Sequence, residues 1–483
     1  MFVSYVTLMF WVKPLSILLT LLLIVTMIGM PSSSAEDDVE IRIVWYDFRY
    51  LEEIETRNTP SFALCFDTLG IVFGYFSSRN QTNVAQASLR ADAEQEEITL
   101  SFSMLVDDEN FTGYCDLDSE QGSGIVTIVF NTNTGRWSGD DTLGDSSGLG
   151  RLNGCDDGSY YVSEYDAQLC FDIWVEDEDG DHLPQSAESL LGTDKNTDDS
   201  LRDDDGDGIP LWWEYRFGFD PFVYEDHARL DPEHDGLNNL EEYMMADWHS
   251  DPYRSDLFVE LDEMQIGPNG EGCRVPQESK IMLHEAYAKR NIVFHLDDGC
   301  MGGGETIPFV DVIHLGEEKQ YYKDYFLHGD EENWRRGVFR YALISYSHFP
   351  ITGLEFAGEE GGFLQGLNSF VLSTKALEHK SSAWYLPFKR NLTYASVIMH
   401  ELGHTMGIYI GHPKGCDNQF SRSFFGIGWW VYGNYVSCMN YRYCYRIMDY
   451  SDGSHGWGDF DDWSELRLSQ FQPPDLVDGG RDR

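Results

Sequence analysis

The stretch Thr393-Tyr-Ala-Ser-Val-Ile-Met-His400-Glu401-Leu-Gly-His404-Thr-Met-Gly407 decides how the C-terminal half is read. Its pattern predicts a helix over 393–406, closed by Gly407, a residue free to adopt left-handed backbone. Four-residue spacing places His400 and His404 on one side of that helix. Two neutral imidazoles so placed can share one Zn2+. Glu401, next to His400, can accept a proton from a metal-activated water.

Working outward, strand-like runs at 256–261, 291–296, 339–346 and 369–373 alternate with a helical run at 278–290. This predicts an α/β arrangement over 255–471. A second signal follows at Cys438-Met439-Asn440-Tyr441, 39 residues from His400 to Met439. Together, the H-E-x-x-H-x-x-G run and the later M-x-Y resemble the metzincin zinc metallopeptidases. The resemblance implies an α/β metzincin-like domain with Met439 in a turn beneath the histidines and Tyr441 as a transition-state stabiliser. It also implies that 369–373 is an edge strand pairing with an extended peptide substrate. One position departs from the family pattern. Its third ligand falls at Ile410, which cannot bind zinc. His412, two residues on and reached through Gly411, is the favoured third ligand, and Asp417 is the reserve.

The segment 176–260 has a different character: 26 acidic residues against 5 basic ones, a net −21. The acids are periodic. Asp203, Asp205, Asp207 and Glu214 fill positions 1, 3, 5 and 12 of a calcium loop, with Gly208 at position 6 and the carbonyl of Ile209 at position 7. Asp231, Glu233, Asp235, Leu237 and Glu242 repeat the pattern around Gly236. Asp177, Asp179, Asp181 and Glu188 repeat it again, with His182 in place of the turn glycine. The segment resembles thrombospondin type 3-like and dockerin-like calcium repeats. It is expected to bind Ca2+ and act as a stiff spacer.

Residues 36–175 contain short alternating runs split by Gly, Asn, Asp and Ser, the pattern of a β-sandwich, with no cluster of chemistry-bearing side chains. The uncharged run 15–30, followed by Ser33-Ser34-Ala35, reads as a signal peptide over 1–35. The nine cysteines of the mature chain are then expected to form mostly disulfides. A polar tail fills 472–483. The expected fold class is therefore multidomain: an N-terminal all-β sandwich (36–175), a calcium-loop spacer (176–254) and a C-terminal α/β metzincin-like peptidase domain (255–471).

The formal net charge of −50 excludes a phosphate-backbone binder. Beyond the signal peptide no apolar run reaches spanning length, so stable membrane insertion is not expected, whereas attachment at a cell surface remains compatible. The resulting expectation is a secreted or cell-surface calcium-binding zinc metalloendopeptidase acting on a protein or peptide. The alternative is a non-catalytic calcium-dependent adhesion protein with a degenerate peptidase domain, a reading that Ile410 favours and Glu401 opposes.

Overall fold

The computed structural model describes residues 38–469, except 52–59, 93–94, 108–111, 118–123, 142–148, 159–164, 176, 178, 315, 350–360, 364–367, 383–388 and 410. The expected signal peptide, Ile410 and the polar tail therefore lie outside the described residues.

Ten strands build the first part: β1 (Asp38–Tyr50), β2 (Ser61–Phe66), β3 (Ile71–Val72), β4 (Asn80–Asp92), β5 (Glu97–Asp107), β6 (Thr112–Tyr114), β7 (Ile125–Asn131), β8 (Arg136–Gly139), β9 (Gly150–Asn153) and β10 (Ala167–Val175). One antiparallel sheet runs β4-β1-β10-β9 and the other β3-β2-β5-β7-β8, with β6 paired to β5. Their inner faces share one core. Alternation along β1 sends Ile41, Ile43 and Trp45 inward. A bulge between Trp45 and Asp47 then shifts the phase, so that Phe48 and Tyr50 also point in. Trp45 meets Phe66 and Phe102 edge-on, with centroids 5.4 and 5.5 Å apart.

Three short helices follow, one behind each acidic loop: α1 (Gln185–Leu191), α2 (Leu211–Phe217) and α3 (Asn239–Met244). Pro184 and Pro210 precede the first two, and Gly192 and Gly218 end them in left-handed conformation. A capping box between Asn238 and Glu241 starts the third. The expectation of a spacer is corrected here. Arg216 pairs with Asp172 of β10 at 2.5 Å, and Arg136 of β8 donates to the Tyr215 carbonyl at 3.0 Å. Leu237 and Met245 enter the same core as Phe258 and Phe339. The repeats thus hold polar contacts to the first part and bury apolar residues against the last, which a free-standing rod would not.

The remainder holds β11 (Asp256–Met264), α4 (Gln277–Ala288), β12 (Val293–Asp297), β13 (Thr306–Ile307), β14 (Ile313–His314), α5 (Glu318–Tyr321), α6 (Arg335–Val338), β15 (Phe339–Ser345), β16 (His348–Phe349), β17 (Gly361–Phe363), β18 (Ser369–Ser373), α7 (Thr374–Ser381), α8 (Lys389–Thr405), β19 (Lys414–Asp417), α9 (Ile427–Val431) and α10 (Asp462–Glu465). The main sheet runs β12-β11-β15-β18-β17, with β13 paired to β11.

The expected fold class, with its α/β metzincin-like domain, is corrected. The described chain is mainly β: nineteen strands against ten α-helices, of which only α4, α7 and α8 reach eight residues. Regular strand–helix alternation stops after β12. There Gly302 and Gly304 hold left-handed backbone, and α5 and α6 end after four residues each. The expected edge strand is also corrected, because β18 lies between β15 and β17.

The first part and the last meet directly. Asn153 donates to the Ala288 carbonyl at 2.7 Å, Arg79 pairs with Glu285, and Asn291 bonds Asp156. Leu51, Cys155 and Ala288 form a small buried cluster there. The expected disulfides are corrected too, since all nine cysteines stand as free thiols. Cys416, Cys438 and Cys444 fill the core around α8 as small apolar side chains.

Candidate metal sites

Helix α8 is anchored by Tyr394, Ala395, Val397, Ile398, Met399 and Leu402, all buried in the C-terminal core. Its last turns present the chemistry. His400, Glu401 and His404 are themselves buried, at 4, 6 and 5% exposure. Gly407, at φ +98°, reverses the chain. The Ile408 amide then bonds back to the Gly403 carbonyl at 3.0 Å, a Schellman closure. That reversal delivers the Ile408 carbonyl to His404 Nδ1 at 2.6 Å. His400 Nδ1 meets the Cys438 carbonyl at 2.8 Å. A carbonyl only accepts, so both Nδ1 atoms carry hydrogen, and each Nε2 is the nitrogen offered to the site.

Asp417 faces both Nε2 atoms. Its Oδ1 lies 3.0 Å from His400 and its Oδ2 3.1 Å from His404. Asp417 is 8% exposed and holds φ +52°, a backbone that Asp tolerates better than most residues. Burial works against charge on this carboxyl, yet the two imidazoles hold its pKa well below the usual carboxylate range. Burial likewise opposes charge on His400, and the Asp417 carboxylate raises its pKa well above the ordinary value.

The structure does not bring His412, the favoured third ligand, to the two histidines; Asp417, the reserve, stands there instead. The chain does turn at Gly411, but it closes at once: the Tyr409 amide bonds the His412 carbonyl at 3.1 Å, and the His412 amide returns to Tyr409 at 2.8 Å. His412 is left exposed at the tip. The chain then runs back as β19, and the Asp417 amide bonds the Met439 carbonyl at 3.1 Å.

Met439 is fully buried beneath α8. A Cβ on Gly403 would sit 2.6 Å from Met439 Sδ, so the helix and the turn approach this closely only because residue 403 is glycine. Gly403→Ala is expected to destabilise the fold by about 1–3 kcal/mol through overpacking, even though Ala favours helix. Denaturant unfolding checks this, and an unchanged midpoint would mean that Met439 yields. Tyr441 stacks on His400 with centroids 5.8 Å apart and planes 17° apart, and the Arg422 guanidinium lies over the Tyr441 ring at 4.2 Å. Burial first, and then the Asp417 charge, keep its phenol protonated far above the usual range.

The acidic loops share one geometry. The position-1 carboxylate accepts from the amides of positions 4 and 6: Asp177 from Gly180 and His182, both at 2.8 Å, and Asp203 from Gly206 at 2.7 Å and Gly208 at 3.1 Å. Asp231 accepts from Gly236 at 3.2 Å. Positions 4 and 6 are both left-handed in all three loops. His182 takes φ +74° where Gly208 and Gly236 serve elsewhere, and His234 takes φ +62° where Gly180 and Gly206 serve. The first loop therefore makes its turn without the glycine. The position-5 carboxylate accepts from the amide of position 7: Asp181 from Leu183, Asp207 from Ile209 and Asp235 from Leu237. Its second oxygen reaches far along the chain, to the amides of Asp199 (3.2 Å), Glu225 (3.3 Å) and Asp256 (2.5 Å).

Glu188, Glu214 and Glu242 at position 12 are buried in the first turns of α1, α2 and α3. Glu188 Oε1, both oxygens of Glu233 and Glu242 Oε1 are enclosed without a hydrogen-bond donor. Buried carboxylate oxygens in that state require a cation or a proton. Asp179 and Asp205 stand beside their loop partners as single-atom ligands within 4.8 Å.

Two members of these clusters escape the twelve-residue pattern. His227 Nε2 lies 3.2 Å from Asp207 and 3.6 Å from Glu214. Asp256 acts electrostatically on Glu233, Asp235 and Glu242. They fall 20 and 21 residues after position 5 of their loops, a spacing that aligning the repeats beyond position 12 would expose. The described residues thus contain several groups able to hold a metal ion, among them His400–His404–Asp417, Asp177–Asp179–Asp181, Asp203–Asp205–Asp207 and Asp207–Glu214–His227.

No family model and no curated protein matches the chain. Among solved structures, the human GIVD cytosolic phospholipase A2 with methyl gamma-linolenyl fluorophosphonate inhibitor and terbium chloride is 12% identical, covering 29% of this chain and 17% of that one, with a TM-score of 0.17. A structure of a C2 domain is 11% identical over 29% of this chain and 98% of its own, with a TM-score of 0.18. A pair of C2 domains from extended-synaptotagmin 2 is 8% identical over 32% of this chain and 48% of that one, with a TM-score of 0.18. At these TM-scores the likenesses carry no argument about fold or function. None of the three bears the metzincin name that the motifs suggested.

Proposed function

We propose that this chain is a secreted, calcium-binding zinc metalloendopeptidase. The observation that carries the reading is the convergence of two buried imidazole Nε2 atoms on one carboxylate, with both Nδ1 atoms fixed by backbone carbonyls. Two nitrogens and a carboxylate oxygen suit Zn2+, and His400, His404 and Asp417 would hold it. When bound, zinc supplies Lewis acidity toward a water and a scissile carbonyl. Glu401, adjacent to the ligands but outside their cluster, accepts the proton of the attacking water on its carboxylate and returns it to the leaving amine nitrogen. Tyr441, kept protonated, offers its phenol hydrogen to the developing oxyanion.

The three loops support Ca2+ as the second metal, because hard carboxylate oxygens on a repeated left-handed turn suit that ion. Secretion rests on the leader-like segment 1–35. Among the described residues no helix is long and apolar enough to cross a membrane.

Metal analysis of the purified chain tests the assignment. One zinc per chain is expected, lost in Asp417→Ala and retained in His412→Ala. Hydrolysis of a peptide library should stop with a zinc chelator while calcium is held constant. Calcium alone, with no zinc and no cleavage, would overturn the reading.

A further inference from the structure

We infer that the surface built by residues 418–448 docks on a phospholipid bilayer rich in anionic headgroups. The chain carries 83 acidic residues in 483, about one in six, yet none falls between Asn418 and Met448. Three arginines do: Arg422, Arg442 and Arg446. This run of sequence is therefore basic and acid-free, although the turn carrying Asp452 and Asp459 packs beside it, Asn434 donating to the Trp457 carbonyl at 2.9 Å.

The same stretch exposes its apolar side chains. Phe425 is 94% exposed, Ile427 74%, Phe420 68% and Trp430 61%. They lie on one short excursion between β19 and the end of α9, where the Phe424 ring packs on Trp430 at 4.8 Å. Arg442 and Arg446 stack over Trp429 at 4.7 and 5.5 Å, so the guanidinium groups flank the aromatic tip.

The chemistry favours a bilayer over a polypeptide. The excursion has already paired much of its own polar backbone: Gly426 to Ser423 at 2.7 Å, Trp429 to Gly426 at 3.2 Å and Tyr432 to Gly428 at 3.0 Å. Trp430 Nε1 donates to the Phe424 carbonyl at 3.0 Å. A segment with these groups satisfied enters the headgroup–acyl boundary at low cost and offers an extended peptide little to pair with. Protruding single rings need a matching pocket on a protein, whereas lipid accepts them without one. Phe, Trp and Ile at a tip flanked by Arg is an interfacial composition.

The test is flotation of the calcium-loaded full chain with phosphatidylcholine vesicles and with vesicles containing about 30 mol% phosphatidylglycerol. Binding to the mixed vesicles is expected, and Phe425→Ser with Ile427→Ser together should weaken it by about tenfold or more. Arg446→Gln should weaken it less and only on the anionic vesicles. Thermal unfolding of each variant should match the wild type, since these side chains are exposed. The readout is independent of catalysis, so its failure leaves the peptidase reading untouched. No flotation of the wild type, or equal flotation of the double variant, would overturn the inference. So would concentration-dependent self-association abolished by the same substitutions, because that surface would then join two copies.

Discussion

Glu401→Gln should retain one zinc per chain and lose peptide hydrolysis by about 10²–10⁴-fold, the usual contribution of a positioned general base. The substitution preserves shape and hydrogen-bonding length in a site only 6% exposed, so the fold should tolerate it. An amide cannot accept the water's proton, and the defect should therefore appear in kcat with little change in KM. The metal should stay, because Glu401 lies outside the His400–His404–Asp417 cluster. Metal content and steady-state rates on one peptide check this together. Undiminished turnover would remove Glu401 from the mechanism, and simultaneous loss of zinc would make it a support of the site instead.

Removing calcium should have the largest effect on stability. Each ion bound at 100 times its Kd adds about 2.7 kcal/mol, so three sites reach about 8 kcal/mol, comparable with the whole stability of a typical domain. The third loop should matter most. Asp235 and Glu242 are 2 and 0% exposed, and Leu237 belongs to the core that contains Phe258 and Phe339.

The pH dependence should reverse between the two states. Burial, reinforced by neighbouring carboxylates, pushes Glu188 and Glu214 up to about 7, and Asp235 and Glu242 well above their ordinary values. The metal-free fold then binds more protons than the unfolded chain. Its stability is fully present below the unfolded carboxylate range and falls as pH rises through about 7. Calcium holds the same groups ionised, so loading should release protons and strengthen with pH. Thermal unfolding at pH 5 and pH 8, with calcium and with chelator, checks both signs. Superimposable transitions with and without calcium would dismiss the loops as metal sites.

What was legible in the sequence was local. A helix of 3.6-residue period puts His400 and His404 together whatever surrounds them, and a twelve-residue loop brings its own ligands. Non-local partners were not legible. Asp417 reaches the histidines only because Gly411 closes a tight turn that leaves His412 at the tip. His227 and Asp256 reach their loops from 20 and 21 residues away. The reading of 176–254 as a spacer failed because loop spacing does not show that Leu237 and Met245 join the core of Phe258 and Phe339, or that Arg216 pairs with Asp172. The α/β reading extended the strand–helix alternation of β11, α4 and β12 over the whole of 255–471, although beyond β12 glycines and short apolar runs break it. The acid-free run 418–448 was visible in the residue string throughout, but only against the acidity of everything around it.

The contact between the first and last parts of the chain bears on activation. Many proteases are made as zymogens whose leading segment departs once a linker is cut. Here Asn153 reaches into the end of α4, Arg79 pairs with Glu285, α2 pairs with β10 through Arg216 and Asp172, and the last loop holds the first residue of β11 through Asp235. A nick between 176 and 254 would leave two polypeptides still bound to each other, as in a cleaved but undissociated precursor. The β part would therefore stay attached, and control over the proposed peptidase would act through calcium supply instead of through release.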